Sequence, residues 1–502
     1  MRRTKFTLAG WRLDAASTQV LYRHVCERLR EAIRGGQLKP NERLPSARAL
    51  ASQLGTARGT IELAYTLLAA EGYVVGRGAA GTFVAHGLAS PVLRRRRRVT
   101  RLQPPSESAA GPPRSALPLQ LGLPSLDRFP RTVWSRLVGR RARTVSPEDL
   151  AGEHPQGHLP LRKALAAYLA VSRGVLCEPE QIIITGGFQG ALGLVSRAFL
   201  SPGNPVCFEE PGYTSARLGL LAAGAEVIPV RVDSEGLNIE AALKRAPDAR
   251  MICVTPAHQA PTGVSLSLAR RLALLAWATQ HGGWILEDDY DSEFRYDSRP
   301  LPALKSLDDA GRVLYIGTFS KVLFPALRLG YLVVPSSEVP RVAEVNRLLY
   351  GAAPRLMQTV VADFMAEGHF PRHIRKMRTL YRERRSALVT AVTEIFQGDL
   401  HIRLASGGMH LIVQGKPLEN DRAVVINARK AGLAPSALSS WYHDPRDSEY
   451  GLLLGFTNLA ADQAVEVMTR LKSVLGRPSA SVSHRDVDPT SPYEGGTPSS
   501  PR

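Results

Sequence analysis

The chain has few cysteines, and it has no long apolar run. The four thiols, Cys26, Cys177, Cys207 and Cys253, are scattered through 502 residues, and none of them is spaced as Cys-x-x-Cys. This usage predicts reduced, buried cysteines in a cytoplasmic protein, and it argues against a disulfide framework or a metal site. Because no run of about 18 apolar residues occurs, no membrane span is predicted. The basic N-terminus has no apolar stretch after it, so we expect no secretory signal.

Acidic residues are scarce at the front of the chain. The formal net charge is +19 overall, and residues 1–114 hold 20 Lys and Arg against 7 Asp and Glu, a net of +13. The remaining 388 residues hold 44 against 38, a net of only +6. A basic front on a nearly balanced body predicts a polyanion partner for the front, with nucleic acid as the leading candidate. A disordered basic arm would give the same count.

Composition predicts five zones along the chain. They are an N-terminal arm (1–16), a basic helical module (17–85), a basic, Pro-rich linker (86–117), a large module (118–476) and a disordered tail rich in Ser, Pro and Gly (477–502). The linker contains the unbroken run Arg94–Arg98, and its composition cannot bury a core. That run either adds non-specific affinity for DNA or only keeps the linker soluble.

The large module alternates short apolar runs with amphipathic helical stretches. The runs Gln181–Thr185, Met251–Thr255, Trp284–Glu287 and Arg312–Ile316 are typical of buried parallel strands. Stretches such as Ser267–Gln280 separate them and have helical periodicity. This alternation predicts an α/β layered fold with a mostly parallel sheet.

The front module has the pattern of a helix-turn-helix. Apolar residues every four positions from Leu21 to Ile33 predict a first helix that ends at Gly35-Gly36. Leu44-Pro45-Ser46 caps a second helix through Gln53, and Leu54-Gly55-Thr56 turns the chain into a third. On that third helix we expect four residues to face inward: Ile61, Ala64, Tyr65 and Leu68. Arg58, Gly59 and Thr60 are then exposed at its N-terminal end, where such helices contact base edges.

A β-hairpin wing is predicted after the third helix, from Gly72 to Val84, with Arg77 near its tip. A small helical bundle with a solvated charged face is the alternative. The segment resembles the GntR-type winged helix in Leu44-Pro-Ser-Ala-Arg48, Leu54-Gly55 and Ala70-Glu-Gly-Tyr73. That resemblance implies binding to double-stranded DNA, with Arg48, Arg58 and Arg77 as contacts divided between phosphates and bases.

Four short motifs in the large module suit one phosphorylated ligand. Lys321 follows two hydroxyl residues, Thr318 and Ser320, and precedes Arg328 by seven positions, a setting for a Schiff base to a phosphorylated aldehyde. Glu287-Asp-Asp-Tyr290 follows an apolar strand, so its side chains emerge where α/β folds bind ligands. Asp288 there can hold a pyridinium nitrogen protonated.

The other two motifs supply a phosphate cradle and a flat contact. Thr185-Gly-Gly-Phe-Gln189 passes from a strand into a helix and offers free backbone amides to phosphate. Glu210-Pro-Gly-Tyr213 presents an aromatic ring after a turn, suitable for stacking. Each motif is common by itself, but all four in order beside strand ends indicate one site.

Residues 120–475 resemble the fold-type I aminotransferases, which bind pyridoxal 5′-phosphate (PLP). Gly157-His-Leu-Pro-Leu-Arg162 and Pro256-Ala-His-Gln-Ala-Pro-Thr-Gly263 add to the likeness. The resemblance implies that Lys321 forms the Schiff base with PLP, that Asp288 pairs with the pyridine nitrogen and that Tyr290 bonds the phenolic oxygen. It further implies ring stacking by Tyr213. The phosphate would be held by Gly187, Phe188, Gln189, Thr318, Ser320 and Arg328. Family sites lie at a subunit interface, which implies a homodimer.

The order of the two modules resembles the MocR/GabR group of bacterial transcriptional regulators. Two departures from the aminotransferase pattern bear on function. Ala260 stands where those enzymes have Asn before Pro-Thr-Gly, with Gln259 adjacent, and Leu453 stands near the expected arginine that binds the substrate carboxylate. Losing a buried charge pair of that kind costs several kcal/mol of ligand binding.

The leading hypothesis is therefore a cytoplasmic, PLP-dependent transcriptional regulator that binds an operator as a dimer. It would sense an amine, an amino acid or PLP itself through Schiff-base chemistry at Lys321. One alternative is an active aminotransferase with an appended DNA-binding module, and another is a structural DNA binder whose large module has no chemistry.

Overall fold

A computed structural model describes residues 21–86, 116–152, 154–296, 301–351 and 353–475. The chain divides into two compact units, residues 1–111 and 112–502. The predicted N-terminal arm, the Arg94–Arg98 run and the predicted tail lie outside the described residues. The five zone boundaries drawn from composition remain predictions. Within the described residues, no helix is long and apolar enough to cross a membrane.

The front unit has three helices followed by a two-stranded hairpin. Their bounds are α1 (Leu21–Arg34), α2 (Ala47–Leu54), α3 (Arg58–Ala70), β1 (Val74–Gly76) and β2 (Thr82–Val84). Ser46 caps α2, because its Oγ accepts a hydrogen bond from the backbone N of Ala49 at 3.2 Å. Gly55 ends α2 with φ of 63°, a conformation that glycine adopts at low cost.

The packing of the front unit follows the predicted faces. The four inward residues of α3 are buried against the α1 stripe of Val25, Leu29 and Ile33. Leu21 is the exception, since 46% of it is exposed in the first turn of α1. The hairpin pairs Val74 with Val84 and Gly76 with Thr82 in antiparallel register, and Arg77 lies in the turn between the strands. Helix-turn-helix and wing thus share one small apolar core.

The large unit surrounds one central sheet with helices. Its helices are α4 (Arg131–Arg143), α5 (Pro147–Ala151), α6 (Leu159–Arg173), α7 (Phe188–Phe199), α8 (Thr214–Ala222), α9 (Ile239–Arg245), α10 (Leu268–His281), α11 (Val339–Leu349), α12 (Arg355–Ala366), α13 (His369–Phe396), α14 (Asp421–Lys430) and α15 (Ala464–Leu475). The strands of the central sheet are β3 (Ile182–Thr185), β4 (Pro205–Glu210), β5 (Glu226–Asp233), β6 (Gly236–Leu237), β7 (Met251–Val254), β8 (Trp284–Asp289), β9 (Val313–Thr318) and β10 (Gly330–Val333).

The central sheet has the order β3-β10-β9-β8-β7-β4-β5-β6. Its middle is parallel, because β9, β8, β7, β4 and β5 pair in that sense. The predicted parallel strands at 251, 284 and 312 are therefore confirmed. The prediction for Gln181–Thr185 is wrong in its pairing, since β3 is hydrogen-bonded antiparallel to β10. Both kinds of strand are buried on two faces, and an apolar run alone does not reveal the direction of its neighbour.

A smaller sheet follows the central one in the chain. Its strands are β11 (His401–Arg403), β12 (His410–Gln414), β13 (Ser436–Ala437) and β14 (Leu452–Gly455), all antiparallel in the order β11-β12-β14-β13. A large apolar core joins residues of α6, α12, α13 and α15 to the edge of the central sheet near β3 and β10. The long helix α13 packs with α15, so the small sheet and its helices are held against the same core.

Candidate cofactor site and nucleic-acid interface

One cavity of the large unit lies where several strands of the central sheet end. Its volume is about 330 Å³, and it is lined by Leu121, Gly122, Phe188, Gln189, Tyr213, Ala260, Asp288, Tyr290, Thr318, Ser320, Lys321, Pro325, Arg328, Met409, His410 and Trp441. Of the residues predicted to bind a cofactor, all but Gly187 line it, and Gly187 immediately precedes α7 at its wall. The structure therefore brings together four motifs that are up to about 140 positions apart in the sequence.

Lys321 points its amine into this cavity. Its Nζ donates a hydrogen bond to the carbonyl oxygen of Gly122 at 3.1 Å. A Cβ on Gly122 would lie 2.1 Å from that Nζ, so a larger residue there would force the amine to move. Burial lowers the pKa of Lys321 below its usual value, while the carboxylates of Asp291 and Asp288 oppose that shift. A lowered pKa makes the neutral, nucleophilic amine more available.

Asp288 lies at the end of β8, opposite Ile316 of β9 in the parallel register. Its Oδ1 is buried and has no hydrogen-bond partner among the described residues. Burial, with the charge of Asp289 next, raises the pKa of Asp288 well above its usual value. A buried carboxyl oxygen without a partner is costly, and a protonated ring nitrogen placed in the cavity would satisfy it. The unpartnered oxygen therefore fits the predicted pairing of Asp288 with the pyridine nitrogen of PLP.

The predicted phosphate-binding end of the cavity is formed by neighbouring strands of the central sheet. Gly330 of β10 pairs with Thr185 on one side and Thr318 on the other, which brings the two predicted phosphate loops together. A Cβ on Gly330 would lie 3.0 Å from backbone atoms of Gly187, so a side chain there would force the loops apart. The first amides of α7 have no acceptor within the helix and carry its positive dipole end.

Arg328 completes that end in an unusual conformation. Its φ is 52°, in the left-handed region that costs a residue with a side chain free energy. Thr318 Oγ1 accepts a hydrogen bond from the backbone N of Ser320 at 3.2 Å, which fixes the turn before Lys321. The side chain of Gln189 donates to the carbonyl of Ser215 at 3.3 Å, so it offers the cavity its backbone rather than its amide.

Tyr213 forms an aromatic wall with two neighbours. Its ring centroid lies 5.8 Å from that of Phe188 and 5.9 Å from that of Trp441, which is tilted by 35° from it. Sequence reasoning found Tyr213 but missed Trp441, because no motif marks the short segment that follows β13. Also missed were Leu121, Gly122, Met409 and His410, which are distant in the chain from the four motifs, and Pro325, which lies between Lys321 and Arg328.

Ala260 stands where the aminotransferases have an asparagine, and the adjacent Gln259 does not take over that role. Ala260 is buried at the cavity, and the Gln259 amide nitrogen donates to Pro211 O and Ala260 O at 2.8 Å each and to Glu209 Oε2 at 3.2 Å. Its Oε1 accepts from Thr262 N and Oγ1. Gln259 is thus fully engaged away from the cavity, and the polar group that contacts Tyr290 is His258, whose Nδ1 lies 2.9 Å from Tyr290 Oη. The motif Pro256–Gly263 contained His258, but sequence reasoning gave it no role.

Leu453, near the expected carboxylate-binding arginine, lies in an apolar cluster. On β14 it is opposite Ile412, and it is fully buried with Ile412, Leu438 and Tyr442. Leu121 and Trp441 pack against this cluster and also line the cavity. Among the described residues that line the cavity, the cationic side chains are Lys321 and Arg328.

The residues predicted to contact DNA are exposed or half-buried on the front unit. Arg48 is exposed on α2, and Arg58 at the start of α3 pairs with Glu62 at 2.8 Å. Gly59 is exposed and Thr60 half-buried in the same turn. Arg77 donates to Asn41 Oδ1 at 2.9 Å, and its guanidinium lies 4.8 Å from the Phe83 ring centroid. Arg58 and Arg77 therefore have polar partners within the front unit.

Comparisons with known proteins agree with both units. Residues 21–84 match the model of the bacterial regulatory proteins of the gntR family, and residues 146–438 match aminotransferase class I and II. The solved structure of a Pyrococcus horikoshii kynurenine aminotransferase in complex with PMP has 27% identity and a TM-score of 0.65, covering 72% of this chain and 91% of that one.

Two curated relatives cover both units. The probable rhizopine catabolism regulatory protein MocR of Rhizobium meliloti is 38% identical over 92% of this chain and 95% of its own length. The pyridoxine biosynthesis regulator PdxR of Corynebacterium glutamicum is 34% identical over 86% and 90%.

Fold and site thus define a fold-type I aminotransferase-like domain joined to a winged-helix DNA-binding domain. The chain belongs to the MocR-type, GntR-class family of HTH-type transcriptional regulators with an aminotransferase class I and II domain.

Proposed function

We propose that this regulator binds PLP at Lys321 and that the bound cofactor, alone or with an amine effector, changes its affinity for an operator. The observation that carries the proposal is the single cavity that joins Lys321, Asp288, Tyr290, Ser320 and Arg328. When bound, PLP supplies an aldehyde carbon that condenses with primary amines and a ring that withdraws electrons.

Each of these residues has one task in the proposal. Lys321 provides the amine for covalent attachment, and Asp288 keeps the ring nitrogen protonated. Tyr290 donates to the phenolic oxygen, while Tyr213 covers one ring face. The phosphate is bound by the guanidinium of Arg328, the hydroxyls of Thr318 and Ser320, and the first amides of α7 from Gly187 to Gln189.

The effector end of the cavity favours a ligand without an α-carboxylate. Both cations among the described lining residues are already assigned, one to the Schiff base and one to phosphate. Leu453 lies in an apolar cluster, and Leu121, Met409 and Trp441 add apolar surface. A carboxylate placed there would lose its hydration without gaining a partner. We therefore infer that an amine or PLP itself is the effector, rather than an ordinary α-amino acid.

Regulation requires that the ligand distinguish two states. A ligand changes operator affinity only by the difference between its affinities for the DNA-binding and non-binding arrangements. We propose a homodimer, because fold-type I sites lie at a subunit interface and a dimer also presents two winged helices to one operator. Light scattering of the purified full chain tests that assembly directly.

The decisive experiment combines absorbance with operator binding. Full-length protein is mixed with PLP, and its absorbance and its affinity for promoter DNA are measured at fixed salt, with and without amines. We expect a PLP-dependent absorbance band that Lys321→Ala abolishes, and operator affinity that changes with PLP or amine in wild type alone. Unchanged operator affinity across all ligands would contradict the regulatory part of the proposal.

The second candidate is an aminotransferase with an appended DNA-binding module. It is favoured by the likeness to the kynurenine aminotransferase structure in complex with PMP. Rapid mixing of the PLP form with a panel of amino acids separates the two candidates. Conversion to the PMP form at catalytic rates supports the enzyme, whereas slow or absent conversion with intact effects on DNA supports the regulator.

A further inference from the structure

A carboxylate and a phenol both contact one imidazole beside the cavity, and the phenol, Tyr290, lines it. Asp291 Oδ2 is 3.2 Å from His258 Nδ1, and the same Nδ1 is 2.9 Å from Tyr290 Oη. Asp291 is 1% exposed and His258 is 5% exposed, so the contacts are shielded from water. Neither Asp291 oxygen has a hydrogen bond of good geometry from another described residue. The imidazole of His258 therefore lies close enough to compensate this buried carboxylate in part, and Lys321 also interacts with it.

Two glycines lie close to the imidazole of His258. A Cβ on Gly408 would lie 2.2 Å from His258 Cε1, and a Cβ on Gly263 would lie 3.1 Å from its Nε2. Gly263 and Gly408 have φ of 75° and 89°, so both use backbone conformations that other residues rarely adopt. The chain thus leaves room for this ring on both sides by placing glycine there.

The carboxylate decides which nitrogen of His258 carries the proton. Nδ1 points at Tyr290 Oη, and the Asp291 carboxylate lies 3.2 Å from the same nitrogen without a hydrogen bond of good geometry. A negative charge that close favours a positively polarised N–H over a lone pair at Nδ1. With the proton on Nδ1, Tyr290 Oη must accept the 2.9 Å hydrogen bond from His258. The tyrosine hydroxyl then keeps its own proton to donate elsewhere, and the free direction is the cavity that Tyr290 lines.

Other ionisable groups surround this row. The imidazole faces Asp291 and Tyr290 after β8 and His410 of β12, whose ring centroid is 6.0 Å away. Burial lowers the pKa of His410 to about 4, and its Nε2 contacts the Pro261 carbonyl oxygen at 2.9 Å, so it is neutral near pH 7. Further charges that act on these groups are Lys321, Asp288, Asp289 and Glu209.

We propose that His258 and Asp291 are positioning residues that aim the Tyr290 hydroxyl at the phenolic oxygen of bound PLP, in place of the asparagine that Ala260 replaces. This inference rests on the proposed binding of PLP at Lys321. A hydroxyl that donates to that oxygen stabilises the form of the bound cofactor that has lost its proton. His258 and Asp291 therefore lower the pH at which the absorbance of bound PLP changes.

The test is a double-mutant cycle on the full-length protein reconstituted with PLP. The measured quantity is the midpoint pH of the absorbance change in wild type, Tyr290→Phe, His258→Leu and the double variant. We expect each single variant to raise the proton affinity of the bound cofactor by about fivefold, the effect of one ordinary hydrogen bond. We expect the double variant to match Tyr290→Phe, because His258 acts only through Tyr290. Additive effects of the two changes would overturn the inference.

Two further variants separate a hydrogen bond from a general disturbance. His258→Gln keeps an amide donor near Tyr290, so we expect its midpoint to lie closer to wild type than that of His258→Leu; equal shifts overturn the inference. His410→Gln removes the other cavity imidazole, and Tyr290→Phe should keep its full effect in that background. A smaller midpoint shift from Tyr290→Phe in the His410→Gln background would count against positioning of Tyr290 by His258 alone, the arrangement called the His258–Asp291 relay below.

The outcome remains decisive if His258→Leu does not fold. The cycle is then made with Asp291→Asn and Tyr290→Phe, and coupling between them supports the relay while additivity overturns it. Failure of the proposed function has a different result: the wild-type protein would then show no Lys321-dependent absorbance with PLP. A wild type with that absorbance but without coupling overturns the relay alone.

Discussion

The two units treat charge in opposite ways. Among the described side chains of residues 21–86, no charged group is fully buried, and the core is made of apolar side chains from α1, α2, α3 and the wing. The large unit buries many charges, including Arg173, Glu209, Glu287, Asp289 and Asp291. A surface that binds a polyanion keeps its cationic side chains exposed to solvent. In a ligand site, charges that are buried away from water interact more strongly with the ligand. The difference predicts which arginines matter for stability and which for binding.

The largest expected effect removes the chemistry of the dry site. Lys321→Ala should abolish the PLP-dependent absorbance band, because no other described lysine lines the cavity. Operator binding without PLP should stay at the wild-type level, since the change lies in the large unit. Lys376→Ala, an exposed lysine on α13, serves as the matched control and should retain the band. Persistence of the band in Lys321→Ala would contradict the assignment.

Breaking a buried ion pair should destabilise the large unit. Arg173 Nε donates to Asp289 Oδ2 at 2.7 Å, and the two side chains are 2% and 3% exposed. Arg173→Met leaves that carboxylate uncompensated and should lower the free energy of unfolding by about 3 to 5 kcal/mol. Chemical denaturation followed by tryptophan fluorescence measures this. Arg58→Met removes an exposed pair in the front unit and should cost less than about 0.5 kcal/mol.

Acid should destabilise the folded protein, because the imidazole of His410 is buried in its neutral form. The pKa of His410 is lowered from 6.5 to about 4 by burial, helped by nearby His258. Below pH 6.5 the imidazole is protonated in the unfolded chain but stays neutral in the folded protein. Its contribution to the free energy of unfolding is therefore complete above about pH 6.5 and is lost as pH falls to about 4. His410→Gln should remove about 2 to 3 kcal/mol of that pH dependence. Chemical denaturation of wild type and His410→Gln at several pH values between 7 and about 4 measures this. The same loss of stability with pH in both proteins would refute the prediction.

The smallest effects are expected at the wet surface. Arg48→Ala and Arg77→Ala should each weaken operator binding about tenfold without changing stability by more than about 0.5 kcal/mol. If the lost contact is to a phosphate, the slope of log affinity against log salt falls by about one. Arg28→Ala on α1, whose side chain pairs with Glu31, is the control. Binding measured at several salt concentrations distinguishes phosphate contacts from base contacts.

The sequence by itself determined what depends on near neighbours. The spacing of Val25, Leu29 and Ile33 placed a helix face, Ser46 and Gly55 bounded α2, and the apolar runs located β7, β8 and β9. The motifs around Lys321 and Asp288 were also recognisable, because each is a short segment whose backbone geometry is local.

Only the tertiary structure decided what depends on distant segments. It paired β3 with β10, engaged Gln259 away from the cavity and placed His258 between Asp291 and Tyr290. It also brought Trp441 and His410 to a lysine about 90 to 120 positions earlier. Such contacts follow from how the sheet and core close, and the spacing of residues within one element carries no record of that closure.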